Sequence, residues 1–184
     1  MVALVVLSGV IFTLTSKKTS TNVAVPTAIG QIDSSKNGAS LIATVEPTND
    51  YGIVFNKDVK PQIDIWEDFQ CPFCNLFEKT MTNYIENVIR NKEAKVIFHM
   101  ASFIGPDSVR AANAANCAVA EGRFIEFHRA LYQIQGAENT GVFANANLVE
   151  VGKRLGITNP EFAKCVNDTK YSGVVNNRSE EHTS

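Results

Sequence analysis

The stretch KPQIDIWEDFQCPFCNLFEKTMTNYIENVIRNKEAKVIFHM, Lys60 to Met100, limits what this chain can fold into more than any other. Its opening residues alternate, with Ile63, Ile65 and Glu67 on one face, as a half-buried strand does. After Cys74 the apolar residues Phe77, Met81, Tyr84, Ile85, Val88 and Ile89 recur at helical spacing. The run AKVIFHMASF that follows is mostly apolar, the pattern of a strand buried on both faces. Strand, helix and strand in that order make a βαβ unit with parallel strands, because the helix carries the chain back to the starting end of the sheet. The chain is therefore predicted to be α/β.

The flanks extend this reading. Upstream, ASLIATVEPTNDYGIVFN sets two β-leaning runs around Pro47, Thr48, Asn49 and Asp50, which predicts a hairpin. Downstream the chain reads as helices. SVRAANAANCAVAEG is alanine-rich and stops at Gly122. RFIEFHRALYQIQ puts Phe124, Phe127, His128, Leu131 and Tyr132 on one stripe, where they are read as packing. NANLVEVGKRLG ends at Gly156, and NPEFAKCVNDTKY opens on an asparagine cap with proline in the first helical position. No strand pattern follows Tyr171.

The N-terminus bears on location. VALVVLSGVIFTL (Val2 to Leu14) is an uncharged apolar run, shorter than the roughly 20 residues that cross a bilayer as a helix. Segment 1–16 is therefore read as a signal peptide or membrane anchor whose start lies upstream, and 17–37, polar and mixed, as a solvated linker. With no A-x-A cleavage site, an uncleaved anchor and an extracytoplasmic domain are expected; cleavage would make the protein secreted. A net charge of −2, with no basic run, excludes a nucleic-acid partner.

Export changes the meaning of four cysteines, because disulfides persist outside the cytoplasm. Cys71 and Cys74 could be a redox couple, half of a metal site, or a structural bridge. Their placement argues for the first. Cys71 stands at the start of a helix with Pro72 in its first turn, where unpaired N–H groups and the positive end of the helix dipole stabilise a thiolate. Cys74 is within disulfide reach and shielded by the helix, so one sulfur is exposed and the other resolves. Phe73 and Pro72 between them add neither charge nor imidazole. A metal site would want a second C-x-x-C or an H-x-x-H, and neither is present.

WEDFQCPFC, VRAANAANCAVAEGRFIEFHRALY and LGITNPEFAKCVNDTKY resemble the DsbA-like thiol–disulfide oxidoreductases, in the Gram-positive-type branch with a second cysteine pair. The resemblance implies a thioredoxin fold with an inserted helical domain, here 38–106 and 107–177. It implies that Cys71 and Cys74 are catalytic and that Cys117 and Cys165 form a structural disulfide. Glu67, Asp68, Pro72 and Phe73 become candidate modulators of the catalytic pair. No cofactor beyond the redox-active disulfide is implied. The partners would be reduced exported proteins and a membrane electron acceptor such as a quinone-linked thiol oxidase. A reductase or isomerase on the same scaffold, and a non-catalytic metal-handling or structural C-x-x-C module, remain the alternatives. The family continues with a Thr-Pro loop, two strands and a helix, yet no proline follows Cys165. The fold is thus expected to be incomplete at its C-terminal end. RSEEHTS, 178–184, reads as a translated sequencing adapter, and no function is given to it, His182 included.

Overall fold

A computed structural model of the chain describes residues 27–31 and 41–183. The apolar segment read as signal or anchor, and the linker except for 27–31, lie outside the described residues. Among the described residues no helix is long and apolar enough to cross a membrane.

The sheet has four strands: β1 (Thr44–Glu46), β2 (Gly52–Phe55), β3 (Gln62–Glu67) and β4 (Lys95–Met100), in the order β1-β2-β4-β3. β1 and β2 form the expected hairpin, with Val45 opposite Ile53. Asp50 and Tyr51 take left-handed conformations to turn the chain, at φ 52° and 51°. β2 runs antiparallel to β4. β3 and β4 are parallel, Ile65 beside Phe98 and Glu67 beside Met100, as the βαβ reading requires. β4 is buried along almost its whole length, matching its apolar sequence. β3 has a neighbour on one side only among the described residues.

The crossover helix α1 (Pro72–Arg90) begins at Cys71, with proline in the first turn, and ends where Lys92 turns left-handed at φ 55°. It buries Ile85, Val88 and Ile89 against the sheet. The expected apolar stripe is split. Phe77 and Tyr84 keep 38% and 56% of their surface exposed, because they flank a cavity beside β3 instead of facing the core.

Five helices follow: α2 (Pro106–Ala120), α3 (Phe124–Gln133), α4 (Asn145–Arg154), α5 (Pro160–Asn167) and α6 (Ser172–Thr183). α2 is the centre of this segment. Ala111, Ala112, Ala114, Ala115 and Ala118 are fully buried, and side chains this small let α3, α5 and α6 approach closely. Cys117 of α2 is joined to Cys165 of α5, with the Cα atoms 5.9 Å apart. α6 carries no apolar stripe in its sequence, and its Val175 is nonetheless fully buried. Thr27–Gln31, inside the stretch read as linker, forms a single 3-10 turn against α4, with Ile29 fully buried.

The helical segment meets the sheet through aromatic rings. Phe124 of α3 lies 5.3 Å from Phe98 and 6.0 Å from Phe55, centroid to centroid. Burying each such phenylalanine contributes about 2 kcal/mol. This contact carries the interior face of α3 up against the end of β3, and therefore against the cysteines.

Candidate active site

Cys71 caps α1 with extended backbone, φ −71° and ψ 120°. Its N–H donates to Asp68 O at 2.9 Å, and its carbonyl accepts from Asn75 N at 3.1 Å. Cys71 and Cys74 are free thiols, each partly exposed. Burial pushes the Cys74 thiol up to about 12, and the neighbouring Cys71 and Glu67 add to the shift. The two sulfurs of one short motif therefore differ in kind: Cys74 holds its proton firmly, while Cys71 sits at the open end of the helix dipole.

The loop that presents Cys71 is held by the helical segment. Gln135, just past α3, donates from Nε2 to Phe69 O at 2.7 Å and to Cys71 O at 3.0 Å. Its Oε1 accepts from Asn75 Nδ2 at 2.6 Å. The Tyr132 hydroxyl donates to Asp68 O at 3.3 Å. Gln70 donates to Ser108 Oγ at 2.8 Å, and its Oε1 accepts from Asn139 N at 2.5 Å. Gly105 lets this network close: a Cβ there would stand 2.6 Å from Asn139 Oδ1. Each backbone carbonyl fixed this way removes a freedom of the loop that positions the reactive sulfur.

The acid pair of the motif divides its labour. Asp68 is fully buried and accepts from Ser108 Oγ at 2.6 Å, Gln70 N at 2.9 Å and Ile104 N at 3.1 Å. Burial raises its carboxyl above the ordinary range, while those bonds oppose the shift. Asp68 thus ties β3 to the start of α2. Glu67, buried at the end of β3, lies with Oε2 2.8 Å from His128 Nε2, and its Oε1 is buried without a hydrogen-bond partner. Burial raises Glu67 to about 7.

His128, read from sequence as packing, is both packing and more. Its ring lies between Phe69, Phe98, Phe124 and Tyr132, with centroids 5.1–5.4 Å away. Its second nitrogen, Nδ1, is 3.6 Å from Glu78 Oε2. Burial raises Glu78 to about 7, with His128 opposing and Glu67 reinforcing. Burial lowers His128, against the pull of Glu78 and Glu86. Ligand atoms of Glu67, Glu78 and His128 lie within 4.8 Å of one another, the only metal-like grouping among the described residues. The histidine nitrogens face different carboxylates, so the three groups are spent on each other and do not form an open cage. The sequence did carry a signal for Glu78. It interrupts the stripe Cys74, Met81, Ile85 and Val88 at helical spacing, where an acid needs a buried partner.

A cavity of about 580 Å³ opens beside the motif, lined by Cys74, Phe73, Phe77, Trp66 and Met81, with Glu67 at its floor. Its wall is largely apolar. Phe73, between the cysteines, is 79% exposed, and Trp66 is stacked on His99 with centroids 4.0 Å apart.

A pair of half-buried thiols at the cap and in the first turn of a helix, set at the end of a parallel strand, is the site of a thioredoxin-type enzyme. A thioredoxin family model matches residues 50–184, and the chain belongs to that family. Among solved structures, DsbA from Mycobacterium tuberculosis in its reduced form is 26% identical, with TM-score 0.62 over 68% of this chain and 72% of that one. The oxidised form of that DsbA gives 25% identity and TM-score 0.65 over 72% and 77%. MdbA, a thiol-disulfide oxidoreductase from Corynebacterium matruchotii, shares the fold at TM-score 0.69 and 18% identity, over 84% and 80%. No curated protein matches the chain. The expected thioredoxin-like α/β fold and the DsbA-like resemblance both hold, and the enzyme is a thiol–disulfide oxidoreductase.

Proposed function

We propose that the protein oxidises the cysteines of exported proteins outside the cytoplasm, tethered to the membrane through its N-terminal segment. The observation that carries this reading is the inequality of the two sulfurs: Cys71 at the open cap, Cys74 half-buried in the first turn with its thiol pushed up to about 12. In the oxidised enzyme a substrate thiolate attacks Cys71 Sγ. The Cys71–Cys74 bond breaks, a substrate–Cys71 bond forms, and Cys74 leaves with the electron pair and takes a proton. A second substrate thiol then loses its proton and attacks the substrate sulfur, expelling Cys71 as a thiolate held by the first turn of α1. The substrate has lost two electrons and the enzyme has gained them. A membrane acceptor such as a quinone-linked thiol oxidase would take them back.

Glu67 supports the step at Cys74. It lines the same cavity, and its carboxyl, near 7, can both give and receive a proton at neutral pH. Phe73 and the apolar cavity wall suit unfolded, apolar segments around a substrate cysteine, whereas folded surfaces would offer them little.

The test is oxidation of a reduced, unfolded protein by the oxidised chain. One disulfide should appear per enzyme consumed, and none with Cys71→Ser. Failure to oxidise, coupled with rapid reduction of a protein disulfide in the presence of dithiothreitol, would assign the opposite direction. Accessibility of Lys17 and Lys18 to an impermeant reagent in intact cells tests the location.

A further inference from the structure

A second cavity lies on the far side of α1 from the cysteine cavity. It holds about 230 Å³ and is more polar than the first, lined by Asn75, Glu78, Thr82, Arg129 and Tyr132 among others. The two cavities differ in what they can supply. The cysteine cavity is walled mainly by apolar side chains, and a bound substrate segment would fill its mouth. The more polar cleft shares no lining residue with the cysteine cavity. Each cavity has one buried carboxyl at its floor, Glu67 in the first and Glu78 in the second. Between them stands one imidazole, with Nε2 toward Glu67 at 2.8 Å and Nδ1 toward Glu78 at 3.6 Å.

We propose that Glu78, His128 and Glu67 form a proton conduit beneath α1, joining the polar cleft to the Cys74 sulfur. This rests on the exchange reading above, in which Cys74 gains a proton when it leaves and loses one when the disulfide re-forms. In the first direction Glu78 takes a proton from water in the cleft and passes it to His128 Nδ1. His128 gives the proton on Nε2 to Glu67 Oε2, and Glu67 gives a proton from Oε1, the oxygen without a partner, to Cys74 Sγ. Every group accepts one proton and releases one, so the net transfer is one proton from solvent to sulfur. The histidine is left in its other tautomer. Re-forming the Cys71–Cys74 bond runs the chain backward and restores it, so the ring never has to rotate within its aromatic walls. The 3.6 Å step at Glu78 is longer than the 2.8 Å step at Glu67, and Thr82, whose hydroxyl donates to Glu78 Oε2 at 2.5 Å, holds that carboxyl at the cleft.

The surroundings favour transfer over a standing ion pair. Glu78 and Glu67 each sit near 7, and burial works against a charged His128. The other titratable or charged groups facing the three are Cys74 and Glu86 of α1, Arg129 and Tyr132 of α3, and Asp68 of the β3–α1 loop. Arg129 is already paired with Glu86. Burial and the nearby acids raise Tyr132 far above its ordinary value, so it stays neutral and takes no part.

The test follows reduction of the Cys71–Cys74 disulfide of the full chain by glutathione, read by Trp66 fluorescence across pH 5 to 9. Glu67→Gln, Glu78→Gln and His128→Gln are compared in H₂O and D₂O. All three should slow the step by about a hundredfold near neutral pH, the low end of what general acid catalysis supplies. They should also abolish the part of the pH profile centred near 7 and the solvent isotope effect of the wild type. If His128→Gln fails to fold, Glu78→Gln decides alone, being isosteric and further from the sulfur. Slowing by Glu67→Gln only would overturn the conduit while leaving the exchange reading intact, since the proton would then enter from the cysteine side. A change in melting temperature with an unaltered pH profile would reduce the three residues to a structural role and overturn the conduit. No reaction of the wild-type disulfide with glutathione would remove the exchange reading, and the conduit with it.

Discussion

Replacing Glu67 and Glu78 together by glutamine removes two carboxyls that burial holds near 7, and linkage between protonation and folding sets the consequence. Both stand at about 7 in the folded protein against 4.5 for an ordinary glutamate. Over that interval the folded state keeps a proton that the unfolded chain has released. Their contribution to stability is therefore complete below pH 4.5 and is lost as pH rises through about 7. A gap of about 2.5 units, at about 1.4 kcal/mol per unit, is worth roughly 3 kcal/mol for one carboxyl. The pair does not lose twice this, because the two are linked: Glu67 raises Glu78, a side-chain hydrogen bond with Glu78 lowers Glu67, and His128 favours a charge on Glu78. Roughly 3 kcal/mol for the pair is the working figure. His128 acts with the opposite sign: burial lowers it, so its contribution is lost as pH falls below its unfolded value of 6.5. The double variant keeps His128, so subtracting its curve from that of the wild type leaves the carboxyls together with the upward pull that Glu78 exerts on His128. Urea unfolding of the oxidised protein at several pH values, read by Trp66 fluorescence, should show the difference falling by about 3 kcal/mol between pH 5 and 8. A flat difference, or one that rises with pH, would show that the carboxyls are not held neutral and would refute the account of this cluster.

With the motif reduced, limiting iodoacetamide at mildly acidic pH should label Cys71 before Cys74, whose thiol burial pushes up to about 12; peptide mapping that found Cys74 labelled first would reverse the roles. Cys74→Ala should accumulate mixed disulfides with a disulfide-bonded substrate, visible on non-reducing gels, because the Cys71 thiolate still displaces one substrate sulfur while no Cys74 thiol remains to attack Cys71 and release the other. Removing the Cys117–Cys165 bridge, which closes 48 positions of sequence, should cost about 4 kcal/mol in denaturant unfolding. A loss under about 1 kcal/mol would mean the helices hold α2 and α5 together unaided. Gly152→Ala would drive a methyl into the ring of Phe162. Overpacking of about 1–3 kcal/mol should outweigh a helix-propensity gain of about 1 kcal/mol, lowering the melting temperature.

The βαβ unit was legible because each of its parts carries its own period: alternation in β3, helical spacing in α1, an unbroken apolar run in β4. The hairpin was legible from its turn residues. What periodicity could not show was which helical residue would stand beside which strand end. His128 lies on an apolar stripe and is buried like its neighbours, and nothing local separates it from Phe124 or Leu131. Its second identity depends on Glu67, 61 positions away. Gln135 and Gln70 are polar residues in loops, where a sequence assigns them to solvent. Only the docking of the helical segment on the β3–α1 loop gives them partners. α6 escaped because, among its described side chains, the buried face is a single valine, too little to make a stripe.

The grip of Gln135, Tyr132 and Asn139 on residues 68–71 has a kinetic consequence. These bonds join positions 64 to 69 apart in sequence. Contacts of such long range form late, since a large loop must close before any of them repays the lost chain entropy. The catalytic loop should thus be among the last parts of the molecule to order and among the first to open. Amide hydrogen exchange would detect this as shared protection: the N–H groups of Gln70 and Cys71 should exchange in step with those of α3, faster than those of β4. A newly made chain would then carry a nucleophilic cysteine that stays imprecisely placed until its helices have folded over it.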